Sequence, residues 1–319
     1  MKPWDGRIRA DARNLPIASE SAQCCVTSPP YWGLRSYDVK GDQIGLEPTP
    51  REYLNNIREV AFEIWRVLRK DGTFWLNLGD SYAGSGKSRC SGGSGPASGK
   101  QTTNAGAYFQ PQSELTPTGL KAKDLAGIPW RVAFALQEDG WYLRSDIIWH
   151  KPNPMPESVT DRPTRAHEYL FLLTKSARYF YDRKAIAEPH KDVSIARRGR
   201  ARTGGKFQEG NGGQPSGNPH SITTGLDDCL HPDGSNKRSV WTISTRSYPE
   251  AHYATFPEEI PETCIRAGSK PGDLILDPFF GSGTVGRVAE RLSRRWIGCD
   301  LGYQELQGKR LTNVQRELV

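Results

Sequence analysis

A serine followed by two prolines and two aromatic residues, Thr27-Ser28-Pro29-Pro30-Tyr31-Trp32, sets a hydroxyl and a backbone carbonyl side by side as hydrogen-bond acceptors. Each proline fixes its own φ and holds the residue before it extended. The Ser28 hydroxyl and the Pro29 carbonyl are therefore aimed in advance, and neither proline has an N–H to compete for them. Such acceptors suit one difficult reaction. An exocyclic amine on a nucleobase is a poor nucleophile because its lone pair is conjugated into the ring. Acceptors around the amino hydrogens draw the nitrogen toward tetrahedral geometry and point the pair at an electrophile. Tyr31 offers a flat face to such a base and Trp32 a second wall, since enzymes that work on a base remove it from the stack. Ser28, Pro29, Pro30 and Tyr31 form the candidate catalytic set. The competing account is a plain surface turn.

Far along the chain, Asp277-Pro278-Phe279-Phe280-Gly281-Ser282-Gly283-Thr284 has the composition of a cofactor-holding bend. Gly281-x-Gly283-x-x-Gly286, with Asp300 further on, formally meets the dinucleotide fingerprint. That pattern alone does not separate a nicotinamide from S-adenosyl-L-methionine. The Asp-Pro-Phe-Phe run into the glycines favours the latter, as does the lack of any hydride-acceptor pocket that the sequence identifies. Gly281 and Gly283 let the backbone approach the cofactor, and Asp300 can take both ribose hydroxyls. Asp277 carries a charge suited to the ammonium or sulfonium side. Glycines kept only for packing are the plainer alternative.

The elements that must position these loops alternate. Residues 22–26 form a short apolar run ending at the prolines, as a buried parallel strand does. Thr49 and Glu52 make a capping box with Pro50 at the first helical position, and an amphipathic helix follows with Gly72 as its stop. Strands are expected at 73–78 and 141–149, with a helix at 129–138 closed by Gly140. Residues 168–173 and 178–181 read as a hairpin, which makes the sheet mixed. A strand at 273–276, a helix at 284–292, a strand at 296–299 and a helix from 303 complete an α/β pattern. Residues 83–118, rich in Gly and Ser, read as a long mobile loop. Residues 184–238 carry Lys191, Arg197, Arg198, Arg200, Arg202 and Lys206 ahead of a Gly-, Asn- and Pro-rich stretch. Lying between two halves of one sheet, they are expected to be an inserted DNA-reading segment rather than solvated linker.

Composition agrees with that. The 319 residues carry a formal charge of +7 and a pI near 9.1, which suits a polyanionic partner. The six cysteines show no metal-site or disulfide spacing. No apolar run approaches the ~20 residues of a membrane span, and no signal core opens the chain. A soluble, cytoplasmic protein is expected.

These motifs together resemble the β group of amino-DNA methyltransferases, in which the catalytic loop precedes the cofactor loop and a target-recognition segment lies between. Thr27-Ser28-Pro29-Pro30-Tyr31-Trp32 matches the family's catalytic motif. Phe279-Phe280-Gly281-Ser282-Gly283 matches its F-x-G-x-G cofactor motif, and Asp300 its acidic strand end. Similar text recurs at residues 72–82, at Trp149-His150-Lys151-Pro152-Asn153-Pro154 and at Tyr253-Ala254-Thr255-Phe256-Pro257-Glu258-Glu259. The resemblance implies that Phe256 and Pro257 lie beside the methionine part of the cofactor. It places Trp149, Lys151 and Asn153 near the target base, against the plainer accounts of a core aromatic and a solvated lysine. It implies a Rossmann-like S-adenosylmethionine-dependent methyltransferase fold: a mixed seven-stranded sheet with one reversed strand and helices on both faces, circularly permuted. The catalytic domain would then be residues 1–183 and 239–319, the second part binding S-adenosyl-L-methionine, with 184–238 the target-recognition insertion. Arg197, Arg198, Arg200, Arg202 and Lys206 are its candidate DNA contacts.

Family members with serine at the first motif position usually methylate cytosine N4, and those with Asp or Asn usually adenine N6. Ser28 therefore points to cytosine, although a hydroxyl accepts from either amine and adenine stays open. Cytosine C5 chemistry needs a nucleophilic cysteine, usually after a proline, and no cysteine here follows one. Two alternatives of other classes stand beside this: a nicotinamide oxidoreductase, and a DNA-binding module with an inactive site. The expected partners are double-stranded DNA and, acting separately, a cognate restriction endonuclease; the protein itself is a monomer or homodimer. No metal is implied.

Overall fold

A computed structural model describes residues 6–33, 43–83, 119–190, 234–245, 257–302, 307 and 311. The chain divides into two units, Met1–Tyr181 with Ser239–Val319, and Asp182–Arg238. In the smaller unit, a 3-10 turn at Lys184–Ile186 precedes an antiparallel bridge between Glu188 and Ser235, and the Glu188 carboxylate pairs with Arg238 at 2.7 Å.

The larger unit is built in the chain order β1 (Arg7–Arg9), β2 (Ala22–Thr27), α1 (Pro50–Val67), β3 (Leu68–Leu78), α2 (Ile128–Glu138), β4 (Tyr142–His150), β5 (His167–Thr174), β6 (Val240–Thr242), α3 (Glu259–Gly268), β7 (Leu274–Asp277), α4 (Thr284–Arg291) and β8 (Arg295–Asp300). In space the strands run β1-β8-β7-β2-β3-β5-β4-β6 as one sheet. Every neighbouring pair is parallel except the two that β5 makes, with β3 and β4, so a single strand is reversed. Among the described residues the sheet has eight strands where seven are expected. The two at its edges, β1 and β6, are only three residues long, too short for periodicity to reveal.

The side-chain alternation of the strands divides the core. Phe74 and Leu76 face the cluster formed with α1 and α2, which includes Tyr53, Ile64, Leu136 and Trp141. Thr73 and Trp75 face the other side, where Gly268 at the end of α3 lies against them. Helix α1 begins as the sequence indicates. The Thr49 hydroxyl accepts from the Glu52 N–H at 3.2 Å and donates to the Glu52 carboxylate at 2.9 Å, with Pro50 in the first turn.

Two expectations are corrected. Helix α1 does not run to Gly72. It ends at Val67, because Leu68 is already extended and fully buried opposite Ala22, and Gly72 lies inside β3. Nor is there a hairpin at residues 178–181. Both edges of β5 are taken by β3 and β4, so no edge is left for another strand. The chain bends instead, with the Thr174 hydroxyl donating to the Ser176 carbonyl at 2.9 Å and the Phe180 N–H to that of Asp71 at 2.9 Å. Gln307 and Leu311 are helical, where a last helix is expected. Among the described residues, no helix is long and apolar enough to cross a membrane.

Candidate active site

The two motifs meet because β2 and β7 are sheet neighbours, with Cys24 opposite Ile275 and Cys25 opposite Leu276. Both strands run the same way, so both loops leave the same end of the sheet, the end at which open α/β sheets bind ligands. At that end the Thr27 hydroxyl donates to Asp277 Oδ1 at 2.6 Å across 250 positions of sequence. The same oxygen accepts the Phe279 N–H at 3.1 Å. Asp277 is only 2 % exposed, and burial pushes its pKa up to about 7 against the opposing pull of these two donors. It ties the two loops together rather than presenting an open charge.

This raised pKa has a sign that can be measured. Between pH 3.8, the ordinary value, and about 7, the folded chain holds a proton on Asp277 that the unfolded chain has lost, so stability falls as pH rises through that window. Asp277→Asn keeps an oxygen for Thr27 and Phe279 but cannot ionise. It should melt above the wild type at pH 8, and the gap should shrink as the pH approaches 4. An equal change in melting temperature at both ends would show that ionisation of Asp277 does not enter.

In the serine loop, the Ser28 hydroxyl lies 3.3 Å from the Tyr31 hydroxyl. Tyr31 Oη lies 2.6 Å from Glu168 Oε2 and 3.0 Å from Asn77 Oδ1. Burial, then the Glu168 charge, hold the phenol well above its usual pKa. A side chain on Gly79 would strike the Tyr31 ring at 2.5 Å, so only glycine lets the ring settle there. Pro30 is fixed through its carbonyl, which accepts the Tyr53 hydroxyl from α1 at 3.0 Å. Trp32 differs from expectation. Its indole is part of the core and its N–H donates to the Glu47 carbonyl at 2.9 Å, so it braces the loop instead of walling a base. Glu47 also takes the Gly45 N–H at 2.8 Å and the Asn56 amide at 2.7 Å.

Three residues from β4 and its continuation are candidates for the base pocket. The Lys151 ammonium pairs with Glu168 and sits 4.3 Å above the Trp149 ring. Lys151 therefore joins the Tyr31 network. Trp149 is buried with its N–H on the Ile243 carbonyl at 2.9 Å. Asn153 is occupied by the Thr245 backbone, accepting its N–H at 3.0 Å and donating to its carbonyl at 3.2 Å.

At the glycine bend, Gly281 and Gly283 have φ of +48° and +84°, a conformation in which L side chains are strained. Asp300, at the end of β8, accepts the Gly281 N–H at 2.6 Å and the Gly302 N–H at 3.1 Å, which fixes its carboxylate beside the bend. Those two bonds leave lone pairs on both oxygens, and a carboxylate with spare acceptors fits a vicinal diol such as a ribose. Gly283 is the N-cap of α4, Thr284 opens the helix, and its hydroxyl lies 3.4 Å from that of Ser282. Gln307, which sequence reasoning missed, donates to the Gly281 carbonyl at 3.0 Å.

Phe280 turns away from the bend. Its ring stacks on Trp296 at 5.0 Å and fills the space left by Gly286 and Gly298. It is a core plug that anchors the bend, not a surface for the cofactor. Phe279 packs half-buried on the central core, and Pro257 is buried just before α3. Phe256, the basic residues Arg197, Arg198, Arg200, Arg202 and Lys206, and the stretch 84–118 lie outside the described residues.

Glu168 and Asn77, like Gln307, carry no motif that marks them in the sequence. The first two still carry a signal: an ionisable or amide side chain inside an otherwise apolar strand must find a partner or stay costly.

Residues 22–308 match the family model for the N6/N4 DNA methylases, described as DNA methylase. The chain is 45 % identical to the Type II methyltransferase M.Cfr9I of Citrobacter freundii, over 98 % of this chain and 89 % of that protein. It is 43 % identical to M.SmaI of Serratia marcescens, over 95 % and 89 %. Among solved structures, it is similar in fold to the PvuII DNA methyltransferase (cytosine-N4-specific), with a TM-score of 0.60 and 20 % identity over 96 % of this chain and 86 % of that one. The fold is also similar to that of a putative DNA modification methylase of Thermus thermophilus complexed with S-adenosyl-L-methionine, with a TM-score of 0.55 and 21 % identity over 96 % and 92 %. With a sheet that sets the two motifs side by side and a family match across most of its length, the chain belongs to the N6/N4 DNA methylase family and is an S-adenosylmethionine-dependent DNA methyltransferase.

Proposed function

We propose that the protein methylates the N4 amine of a cytosine turned out of duplex DNA, by direct in-line transfer. One observation carries the reading. The Ser28 loop and the Gly281–Asp300 bend leave adjacent strands at the same end of the sheet, joined by the hydrogen bond from Thr27 to Asp277. The Ser28 hydroxyl and the Pro29 carbonyl accept the amine hydrogens and localise the lone pair, while Tyr31 borders the base. Asp300 and the Gly281–Thr284 bend hold the cofactor, with Pro257 and Phe256 near its methionine end. Bound S-adenosyl-L-methionine supplies an electrophilic methyl group. Once methylated, the amine is acidic and gives up its proton to water or through Ser28.

Serine at the first motif position favours cytosine over adenine, because the family members that carry it usually act at N4. Arg197, Arg198, Arg200, Arg202 and Lys206 would neutralise DNA phosphates from within residues 184–238. The relatives are named Type II methyltransferases, which fits a cytoplasmic enzyme whose methylation a separate restriction endonuclease answers to.

Incubation with methyl-labelled S-adenosylmethionine and duplex DNA, then digestion to nucleosides and mass measurement, tests this. N4-methylcytosine is expected. N6-methyladenine would overturn the choice of base and leave the chemistry standing. Unmodified nucleosides would overturn both.

A further inference from the structure

We infer that Glu168, acting through the Tyr31 hydroxyl, fixes Ser28 as a hydrogen-bond acceptor and so selects a base that carries an amine over one that carries a carbonyl at the same place. The inference rests on the proposed role of Ser28 and adds a positioning residue from a different strand.

Tyr31 has one hydroxyl hydrogen and three oxygen neighbours: Glu168 Oε2 at 2.6 Å, Asn77 Oδ1 at 3.0 Å and Ser28 Oγ at 3.3 Å. Two of the three can only accept. Asn77 donates its amide N–H to the Tyr169 carbonyl at 3.1 Å, which assigns Oδ1 to the Tyr31 side. Glu168 carries the Lys151 ammonium on its other oxygen, and the pair is largely enclosed, with side chains 13 % and 19 % exposed. A lysine has donors only, so both oxygens of the paired carboxyl serve as acceptors, one for Lys151 and one for Tyr31. The Tyr31 hydrogen therefore goes to Glu168 and Asn77, and toward Ser28 its oxygen has only a lone pair to offer. Ser28 must spend its one hydrogen on Tyr31. What it then presents to a base is lone pairs.

An amine hydrogen meets such an oxygen favourably, and a carbonyl oxygen meets it with repulsion. Cytosine and uracil differ at this atom, and sites that read one hydrogen-bonding group reject the analogue without it strongly. The charge on Glu168, carried through two hydrogen bonds, also makes Ser28 Oγ a better acceptor as positive charge grows on the amine nitrogen.

The test is a double-variant cycle of Glu168→Gln and Tyr31→Phe, read by single-turnover methyl transfer on a duplex that the wild type modifies. The amide introduced by E168Q has the same shape as the carboxylate but can donate to Tyr31, which removes the nearer of two acceptors and leaves Ser28 to compete with Asn77 alone for the phenol hydrogen. Each single variant should slow transfer by about 10- to 100-fold, the size of one charge-assisted hydrogen bond. Cofactor affinity should be unchanged in both. The double variant should be no slower than Y31F alone, because Glu168 acts only through that hydroxyl. A second readout is binding to the same duplex with the carbonyl analogue, uracil for cytosine or hypoxanthine for adenine, at the target position. The wild type should prefer the amine, and E168Q should narrow the preference by about tenfold. Y31F should narrow it too, without disturbing the buried ion pair, and so tests the claim even where E168Q melts early. Additive losses in the cycle, or an undiminished preference in Y31F, would overturn the inference. A wild type that transfers no methyl to an exocyclic amine would instead overturn the reading of Ser28 itself.

Discussion

Ser28→Ala should lower the single-turnover rate of methyl transfer by about 100-fold or more while leaving the affinity for S-adenosylmethionine unchanged. The size follows from removing one of the two acceptors proposed to polarise the reacting amine; deletion of a single preorganised group at a developing charge typically has an effect of this order. The selectivity follows from the backbone. Residue 28 precedes a proline, which holds it extended whatever its side chain, so alanine removes the oxygen and leaves the loop in place. Gly281 and Asp300, which would hold the cofactor, hang from β7 and β8 and are bonded to each other at 2.6 Å. Equilibrium titration of the cofactor, with rapid-quench measurement of labelled DNA, separates the two quantities. If affinity and rate fell together, Ser28 would be a structural residue and the assignment of the acceptor would be lost.

Gly298→Ala should destabilise the folded chain by about 3 kcal/mol or more. A methyl at this position would overlap Cγ and Cδ2 of Phe280, atoms at the rigid root of the ring rather than its tip. The ring cannot retreat, because Trp296 stacks on it at 5.0 Å and Gly286 lies against it, where a Cβ would come within 2.6 Å. Relief has to come from moving Phe280 itself, and Phe280 adjoins Gly281 in the glycine bend proposed to hold the cofactor. A thermal melt should therefore fall by many degrees, and cofactor affinity should weaken with it. The second change Phe280→Leu should recover part of both. An unaltered melt for G298A would mean that the ring does not occupy this space.

Why some of this was legible in the sequence and some was not comes down to where each partner lies. The apolar run at β2, the Thr49–Glu52 cap of α1 and the glycines before α4 are local statements, and each element formed where its own residues asked for it. The meeting of the two loops was legible only through family resemblance, since it depends on the order of strands in the sheet. Trp32 and Phe280 show the limit of reading aromatic residues next to a motif. Sequence gives their size and apolar character but not the side of the loop they turn to, and the core took both. The hairpin failed for a related reason: residues 178–181 look extended, but β5 had no open edge. Glu168 and Asn77 announce themselves as polar residues in apolar strands. Nothing local says that their common partner is Tyr31, 137 and 46 positions away.

The tie between Thr27 and Asp277 also has a bearing on how the protein is born. Strand β2 lies inside the sheet, yet its neighbour β7 is synthesised only after some 250 further residues. At ordinary speeds of translation that is a wait of about 10–50 s, during which one side of Ala22–Thr27 has no companion strand. Every nascent copy thus spends this interval with a row of bare amides beside the Ser28 loop. The stretch that carries β7 and β8 gives β2 its second neighbour and builds the Gly281–Asp300 bend in the same event, so the two loops come together only then.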